Sequence, residues 1–454
     1  MERAAGAIDD GRFGDALKLV GEVFDSRGLK TDDADWASYL RARALAGLGK
    51  FDEAEDTVRE RYRANSNAYT WASLVAILTT CERFEEAAGA ILDLDEESLF
   101  LANRLRPSII ESIAAGLEGK AISVRDKLVM RLVDGGYTGP SSRRVPDLLR
   151  LRYIGSLLRQ RRIEDAARQT ESLESPSILS IMLTDKSFEA LWSQPAVRAL
   201  MTPAMMVARV ERGVQARLEM TELSSSDWLD VMRALRIIGR ADEAVRLGLH
   251  ALAQARKEKR PAGRALRLEV ASAYADVGEA WAARRTAREL MREEPTAPAS
   301  LRIAVAAIFE ETGDDEGALL ILSTLGEAAQ TPVALKTAAC AAHDLGRPER
   351  RDTALAALAA FAKTAPAEVL DAFVCTGERT KAEGILSAMF ARPELRATAI
   401  LTAQLYADPT KAVSDQHDMR YRMKALVASA AVQDAIKPYG RTIALPFTIA
   451  NARD

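Results

Sequence analysis

The chain has 454 residues, of which 48% are hydrophobic, 28% are charged and only 6% are aromatic. A formal net charge of -3 excludes a global attraction to nucleic acid or anionic lipid, so any electrostatic partner must be met by local clusters. No apolar run approaches the roughly 20 residues that a membrane-spanning helix needs. The composition predicts a soluble protein of packed helices, long enough to form an elongated repeat array.

The three cysteines, Cys81, Cys340 and Cys375, lie far apart and cannot all be paired. We therefore expect no disulfide framework and a reducing compartment. The first ten residues already enter an amphipathic pattern, without the basic and apolar regions of a secretory signal. Both observations predict a cytoplasmic protein. A periplasmic or exported protein is the alternative, if the amino terminus is processed.

The first local motif is "GLGKFDEA", residues 47 to 54. A phosphate-binding loop of the Walker type needs a glycine four residues before Gly49-Lys50 minus one, and a hydroxyl directly after Lys50. Ala44 and Phe51 occupy these two positions. The preceding residues have helical spacing and lack the β-branched run of a buried strand. The motif therefore predicts a turn between two helices.

The same turn recurs along the chain. A glycine separates two helical patterns at Gly11, Gly49, Gly239, Gly278, Gly313, Gly346 and Gly377. Five residues later the chain has Ala16, Ala54, Ala244, Ala283, Ala318, Arg351 and Ala382. Glycine can end a helix in the left-handed conformation, and an early alanine lets two helix backbones approach closely. The pattern predicts a series of antiparallel helix pairs.

This pattern resembles the tetratricopeptide repeat (TPR), a helix-turn-helix unit of about 34 residues. Trp71 and Trp228 match the early tryptophan of that repeat. The resemblance implies an all-α, TPR-like solenoid in which helix pairs stack as a right-handed superhelix. It also implies that the first helix of each pair lines a concave face, which presents a binding surface for a peptide or protein.

The repeat columns divide the chain into four predicted regions. An N-terminal array spans 1–175, with degenerate repeats from residue 97, and an irregular connector spans 176–203. A second array follows at 204–437, and its last helix, "DMRYRMKALVASAAVQDAIK", caps the stack. In the tail at 438–454, Ile443, Leu445, Phe447 and Ile449 alternate as in an extended segment, which we expect to fold back into a groove or to bind another protein.

Catalytic and metal-binding patterns are weak. His250, His343 and His417 are scattered over separate repeats. Cys340 and His343 share a helix face, and Cys375 could lie on the next repeat, so a zinc site is conceivable. A buried apolar role for Cys340 is the simpler interpretation. We therefore expect no metal, no cofactor and no catalysis.

Arginine clusters occur between residues 143 and 162 and between 256 and 267. They suit an acidic peptide, or they are solvated helix faces. Few aromatic side chains accompany them, which argues against a nucleic-acid partner. In the second array, counting along the first helices places Arg233, Arg236, Asp276, Glu310 and Glu311 on the concave face. We predict that a peptide or protein binds there, its acidic part near the arginines and its basic part near the glutamates.

The functional hypothesis is a non-catalytic scaffold or adaptor for protein–protein interaction. One alternative is a regulatory or processing protein that positions an enzyme or its substrate. A second alternative is a helical-repeat enzyme. The oligomeric state does not follow from the sequence.

Overall fold

In the computed structural model, helices follow one another in antiparallel pairs. It describes residues 1–9, 11–24, 30–140, 144–220, 223–257, 263–294, 297–408 and 414–448. Two compact units are present, Met1–Thr170 and Glu171–Asp454. No helix in the described ranges is long and apolar enough to cross a membrane. The predicted all-α, helical-repeat fold is confirmed.

The helices of the first unit are α1 Glu2–Asp9, α2 Phe13–Phe24, α3 Thr31–Gly47, α4 Phe51–Ala64, α5 Ala68–Thr80, α6 Phe84–Leu92, α7 Pro107–Gly116, α8 Ile122–Asp134, α9 Asp147–Arg159 and α10 Ile163–Gln169. A 3-10 turn, Leu99–Arg104, precedes α7. The turn predicted from "GLGKFDEA" is confirmed, since α3 ends at Gly47 and α4 begins at Phe51.

The helices of the second unit are α11 Pro176–Thr184, α12 Pro195–Leu200, α13 Pro203–Leu218, α14 Ser225–Ile237, α15 Ala241–Lys257, α16 Arg264–Asp276, α17 Ala280–Glu293, α18 Ala299–Glu311, α19 Asp315–Ser323, α20 Pro332–Asp344, α21 Pro348–Ala359, α22 Pro366–Cys375, α23 Arg379–Ala391, α24 Pro393–Thr402, α25 Ser414–Val427 and α26 Ala430–Ile436. Two short strands, β1 Leu405–Ala407 and β2 Ala444–Thr448, pair in parallel. Residues 176–203, for which we expected an irregular connector, contain α11, α12 and the 3-10 turn Lys186–Leu191.

The recurring glycines end the first helix of each pair as predicted. All seven have a positive φ, between 64° and 79°. At Gly278 the backbone N–H donates to Ala275 and the N–H of Glu279 donates to Tyr274, which caps the last carbonyls of α16. The alanines that follow are buried as predicted: Ala16, Ala54, Ala244, Ala283, Ala318 and Ala382 are 0% exposed.

Two helix pairs use the same turn without a glycine. Glu82 joins α5 to α6 with a φ of 58°, and Arg161 joins α9 to α10 with a φ of 61°. The capping hydrogen bonds are equivalent, from Arg83 to Leu78 and from Arg162 to Leu157. Because a side chain can occupy this conformation at a small cost, the glycine pattern alone underestimates the number of repeats.

The predicted C-terminal capping helix is two helices. α25 ends at Val427, and Ser429 begins α26 by accepting a hydrogen bond from the backbone N–H of Val432 at 3.3 Å. Serine at this position competes with helix continuation, because its hydroxyl satisfies a free N–H of the next helix. The sequence expectation of one continuous helix is wrong for this reason.

The tail folds back onto the start of the second unit. We call residues 439–448 the C-terminal clasp. Its strand β2 contacts α13 and α14, and α24 contacts α11, so that the two ends of this unit meet. Arg441 donates to the carbonyl of Leu183 at 3.0 Å and lies 3.6 Å from the ring centre of Trp192. Of the alternating apolar residues, Leu445 and Phe447 are buried, whereas Ile449 lies outside the described residues.

Candidate binding site on the inner face of the second unit

Successive first helices of the second unit contact one another: α14 meets α16, α16 meets α18, α18 meets α20, and α20 meets α22. These contacts are more extensive than those between the second helices of neighbouring pairs, so the array curves toward its first helices. Charged side chains connect neighbouring first helices on this side. We call the following set the inner charge row: Arg233, Arg236, Glu269, Asp276, Glu310, Glu311 and Lys336.

Arg236 is a buried member of the inner charge row, with 7% of its side chain exposed. Its Nε donates to Asp276 Oδ2 at 2.7 Å, and its Nη1 donates to Glu269 Oε1 at 2.5 Å. Burial alone would lower the pKa of Arg236, but the charges and hydrogen bonds of Asp276 and Glu269 raise it above its ordinary value. Arg236 and Asp276 therefore neutralise each other inside the unit.

Arg233 lies one turn earlier on α14 and is exposed. Its Nε donates to Glu269 Oε2 at 3.3 Å. Reversing both arginines to glutamate, which would be the direct test of a basic groove, would place a third carboxylate between Glu269 and Asp276. Loss of binding in that double variant would therefore report unfolding as readily as lost contacts.

Glu310 and Lys336 form the next pair of the inner charge row. Glu310 Oε2 accepts from Lys336 Nζ at 3.0 Å, and the two side chains are 11% and 18% exposed. Burial raises the pKa of Glu310 although the charge of Lys336 opposes this shift. This pair joins α18 to α20 in the way that Arg236 joins α14 to α16.

Glu311 differs from its neighbours. It is half-buried, and no hydrogen bond or ion pair to another described residue engages its carboxylate. Burial raises its pKa to about 7, Lys336 opposes this rise, and the adjacent Glu310 adds to it. A carboxyl group that titrates near neutrality is typical of ligand-binding or catalytic positions, and it also occurs in structural charge networks.

Arg420 on α25 also faces these residues. It is 5% exposed, and its Nη1 is buried without a hydrogen-bond partner. Burial lowers the pKa of Arg420, while Asp276, Asp408 and Glu311 raise it. Because Asp276 and Glu311 lie on α16 and α18, the guanidinium of Arg420 lies near the inner charge row.

The cysteines contradict the sequence expectation. Cys340 on α20 and Cys375 on α22 form a disulfide, with their Cα atoms 5.6 Å apart. Stacking of consecutive repeats places these first helices side by side, which a sequence separation of 35 residues conceals. The bridge engages both sulfurs that a zinc site with His343 would need. It also removes the argument from cysteines for a reducing compartment.

The arginines predicted as a local basic cluster are engaged within the first unit. Arg152 pairs with Glu111 at 2.7 Å, Arg159 donates to Asp126 at 2.8 Å, and Arg162 pairs with Asp165 at 2.7 Å. Arg143 lies outside the described residues. Acidic residues from α7, α8 and α10 thus offset the arginines of α9 and its turn, which supports the solvated-face interpretation over an acidic-peptide site.

The first helices of the first unit carry an aromatic group instead. Trp36 and Tyr39 on α3 lie 5.7 Å apart, and Tyr69 on α5 lies 6.2 Å and 6.4 Å from them. The guanidinium of Arg43 lies 5.9 Å from the ring centre of Tyr39. All four side chains are partly exposed, so they offer a surface on which flat groups can stack.

Sequence reasoning placed the five predicted residues on one side of the array but missed Glu269, Lys336 and Arg420. Glu269 and Lys336 are on first helices, and their positions could have been found by extending the same helical count. Arg420 lies on α25, beyond the repeat columns, where no periodic signal assigns a face. Within the described residues, no three His, Cys, Asp or Glu side chains are arranged to hold a metal ion. The expected absence of a cofactor stays a prediction.

Comparison with known proteins gives two solved structures of similar fold. The pentatricopeptide repeat protein PPR10 from maize shares 14% identity at a TM-score of 0.30, covering 88% of this chain and 55% of that one. The APC/C hetero-tetramer Cut9-Hcn1 shares 13% identity at a TM-score of 0.30, covering 95% and 84%. This chain thus spans about half the length of the maize protein. No known family and no curated protein matches the sequence.

At these scores the two likenesses say nothing about what the chain binds. Its own helix pairs, with their positive-φ turns and buried alanines, confirm the TPR-like helical-repeat character predicted from the sequence.

Proposed function

We propose that this TPR-like helical-repeat protein is a non-catalytic scaffold that binds a peptide or protein on the inner face of its second unit. The observation that carries the proposal is the inner charge row, which extends over four consecutive first helices, α14 to α20. A surface shared by several repeats suits an extended partner, because each repeat adds contacts to the next stretch of its chain.

The predicted orientation of the partner needs one refinement. Arg236 is engaged by Glu269 and Asp276, so among the predicted arginines only Arg233 is exposed enough to meet an acidic group. At the other end, Glu310 is engaged by Lys336, which leaves Glu311 for a basic group. The partner's acidic part then lies near Arg233 and its basic part near Glu311.

A capture experiment tests this function. Ser272 lies on α16 between Glu269 and Asp276 and is half-buried, whereas Leu320 on α19 is 68% exposed. Full-length protein captures its partners from native lysate, and mass spectrometry identifies them. Ser272→Arg should remove a partner that uses the inner face, and Leu320→Arg should retain it. Equal recovery of every partner by both folded variants would contradict the proposal.

Single-stranded nucleic acid on the first unit is a second candidate. Trp36, Tyr39 and Tyr69 can stack on bases, and Arg43 can add a charge. Fluorescence anisotropy with a labelled 20-nucleotide single-stranded RNA tests it, with Trp36→Ala compared against the parent. Binding that falls at least tenfold in the variant would favour this candidate. An RNA affinity too weak to measure at about 0.1 M salt would leave the predicted absence of nucleic acid as the better description.

A further inference from the structure

Arg420 and Glu311 are opposite charges that lack partners in the same interior. Arg420 has no hydrogen bond to another described residue, and its Nη1 is fully buried. Glu311 has no ion pair within the described ranges either. Burying an ionised group without a partner is costly, and an arrangement that keeps one of each sign unpaired is unusual unless a ligand or solvent completes it.

Neighbouring charges do not satisfy Arg420. Asp276 is engaged by Arg236 at 2.7 Å, and Asp408 is engaged by Lys424 at 2.6 Å. Arg236 itself repels Arg420. The remaining acidic group that acts on Arg420 is Glu311, and the two are too far apart to form an ion pair within 4.0 Å.

The surroundings of Glu311 are similarly engaged. Lys336 is the nearest base to act on it, but this ammonium group already donates to Glu310 at 3.0 Å. The other charges that face it are Arg236 and Asp276, which bind each other. A second base from outside the chain would therefore complete Glu311 without breaking an existing pair.

We propose that Arg420 and Glu311 are the two charge contacts for a peptide that carries one acidic and one basic side chain. The acidic side chain accepts hydrogen bonds from the guanidinium of Arg420, whose planar fork suits a carboxylate. The basic side chain donates to Glu311. This inference rests on the proposed peptide-binding function and adds the chemistry of the ligand. It also brings α25, outside the repeats, into the site.

The test uses a phage-displayed library of random heptapeptides, selected on the immobilised full-length protein. We expect the enriched peptides to share one acidic and one basic residue at a fixed separation. Synthetic copies are then titrated by calorimetry against the parent, Arg420→Gln and Glu311→Gln. Each variant should weaken binding at least tenfold. Lys424→Gln, which removes a charge from the same helix near Asp408, should change the affinity less than twofold.

A further variant separates charge from geometry. Arg420→Lys keeps the positive charge but loses the planar fork, so we expect an affinity between those of the parent and Arg420→Gln. The urea midpoint of each variant shows whether it is folded. Because Arg420 makes no hydrogen bond in the free protein, its replacement by glutamine should leave the midpoint close to that of the parent.

The outcomes distinguish two failures. Peptides that lack the charge pair, or that bind Arg420→Gln and Glu311→Gln as tightly as the parent, would overturn this inference and leave the scaffold function standing. A selection that enriches no peptide at all would contradict the peptide-binding function itself, and the inference with it.

Discussion

Arg236 Nε donates to Asp276 Oδ2 at 2.7 Å, with both side chains 7% exposed. This contact joins α14 to α16 inside the second unit. Because both charges are buried, removing one leaves the other uncompensated, which typically costs about 3 to 5 kcal/mol. The pair is thus part of the structure that shapes the inner face, rather than an open contact for a partner.

The first prediction follows from that burial. Arg236→Met should lower the free energy of unfolding by about 3 to 5 kcal/mol, because Asp276 loses its charged partner. Arg233→Met is the matched control, since it removes an exposed arginine from the same helix and should change stability by at most about 1 kcal/mol. Urea unfolding followed by circular dichroism measures both. Equal midpoints for the two variants would contradict the buried pair.

The second prediction concerns the disulfide. Cys375→Ser opens a loop of 35 residues to Cys340 and should cost about 3 to 4 kcal/mol in the chain-entropy account. Cys81→Ser, which changes the free cysteine, should leave stability nearly unchanged. Peptide mapping without reductant should link the peptides that contain Cys340 and Cys375. Unlinked peptides from protein freshly isolated from its source would contradict the bridge and favour the predicted cytoplasmic location.

The third prediction concerns the C-terminal clasp. Phe447 is 0% exposed in β2, whereas Leu405 on the partner strand β1 is 38% exposed. Phe447→Ala should cost about 3 to 5 kcal/mol and increase amide hydrogen exchange at α14, against which β2 packs. Leu405→Ala should cost much less. Unchanged exchange at α14 in a folded Phe447→Ala variant would show that the clasp does not hold this helix.

The fourth prediction uses the titration of Glu311. Its pKa in the folded state is about 7, above the ordinary value of 4.5, because the carboxyl group is buried. The folded protein thus holds a proton that the unfolded chain releases between these values, so this group favours folding at low pH and loses that contribution as pH rises toward 7. Glu311→Gln should therefore be more stable than the parent at pH 8, by on the order of 1 kcal/mol or more.

The difference should shrink at pH 5.5, where the parent carries the proton. Urea unfolding at the two pH values measures it. Glu327→Gln is the control, because Glu327 is exposed in a surface turn and should give the same small change at both. A Glu311→Gln variant that is less stable than the parent at pH 8 would mean that this carboxylate has a stabilising partner.

The helix pairs could be predicted because their turns depend on local chemistry. Gly278 and its equivalents end a helix through a conformation that glycine adopts without strain, and an alanine such as Ala283 marks a close helix approach. Both features are visible within about ten residues of sequence. The pairs at Glu82 and Arg161 were obscured because tertiary packing holds a larger side chain in the same conformation.

The ion pairs and the disulfide could not be predicted in the same way. Arg236 and Asp276 are 40 residues apart, and Cys340 and Cys375 are 35 apart, so their contact depends on how consecutive repeats stack. Helical counting assigns a residue to a face but does not say which residue of the next helix it meets. Arg420 shows the limit most clearly, because the turn before α25 breaks the repeat pattern.

The central claim is that a partner binds the inner face of the second unit, and site-specific photo-crosslinking tests it most directly. Benzoyl-phenylalanine replaces Ala307, a half-buried residue on α18, or Leu320, an exposed residue on α19. After irradiation in native lysate, the account predicts a discrete cross-linked partner from position 307 and none from position 320. A partner cross-linked from position 320 alone, or no cross-link from position 307, would contradict it.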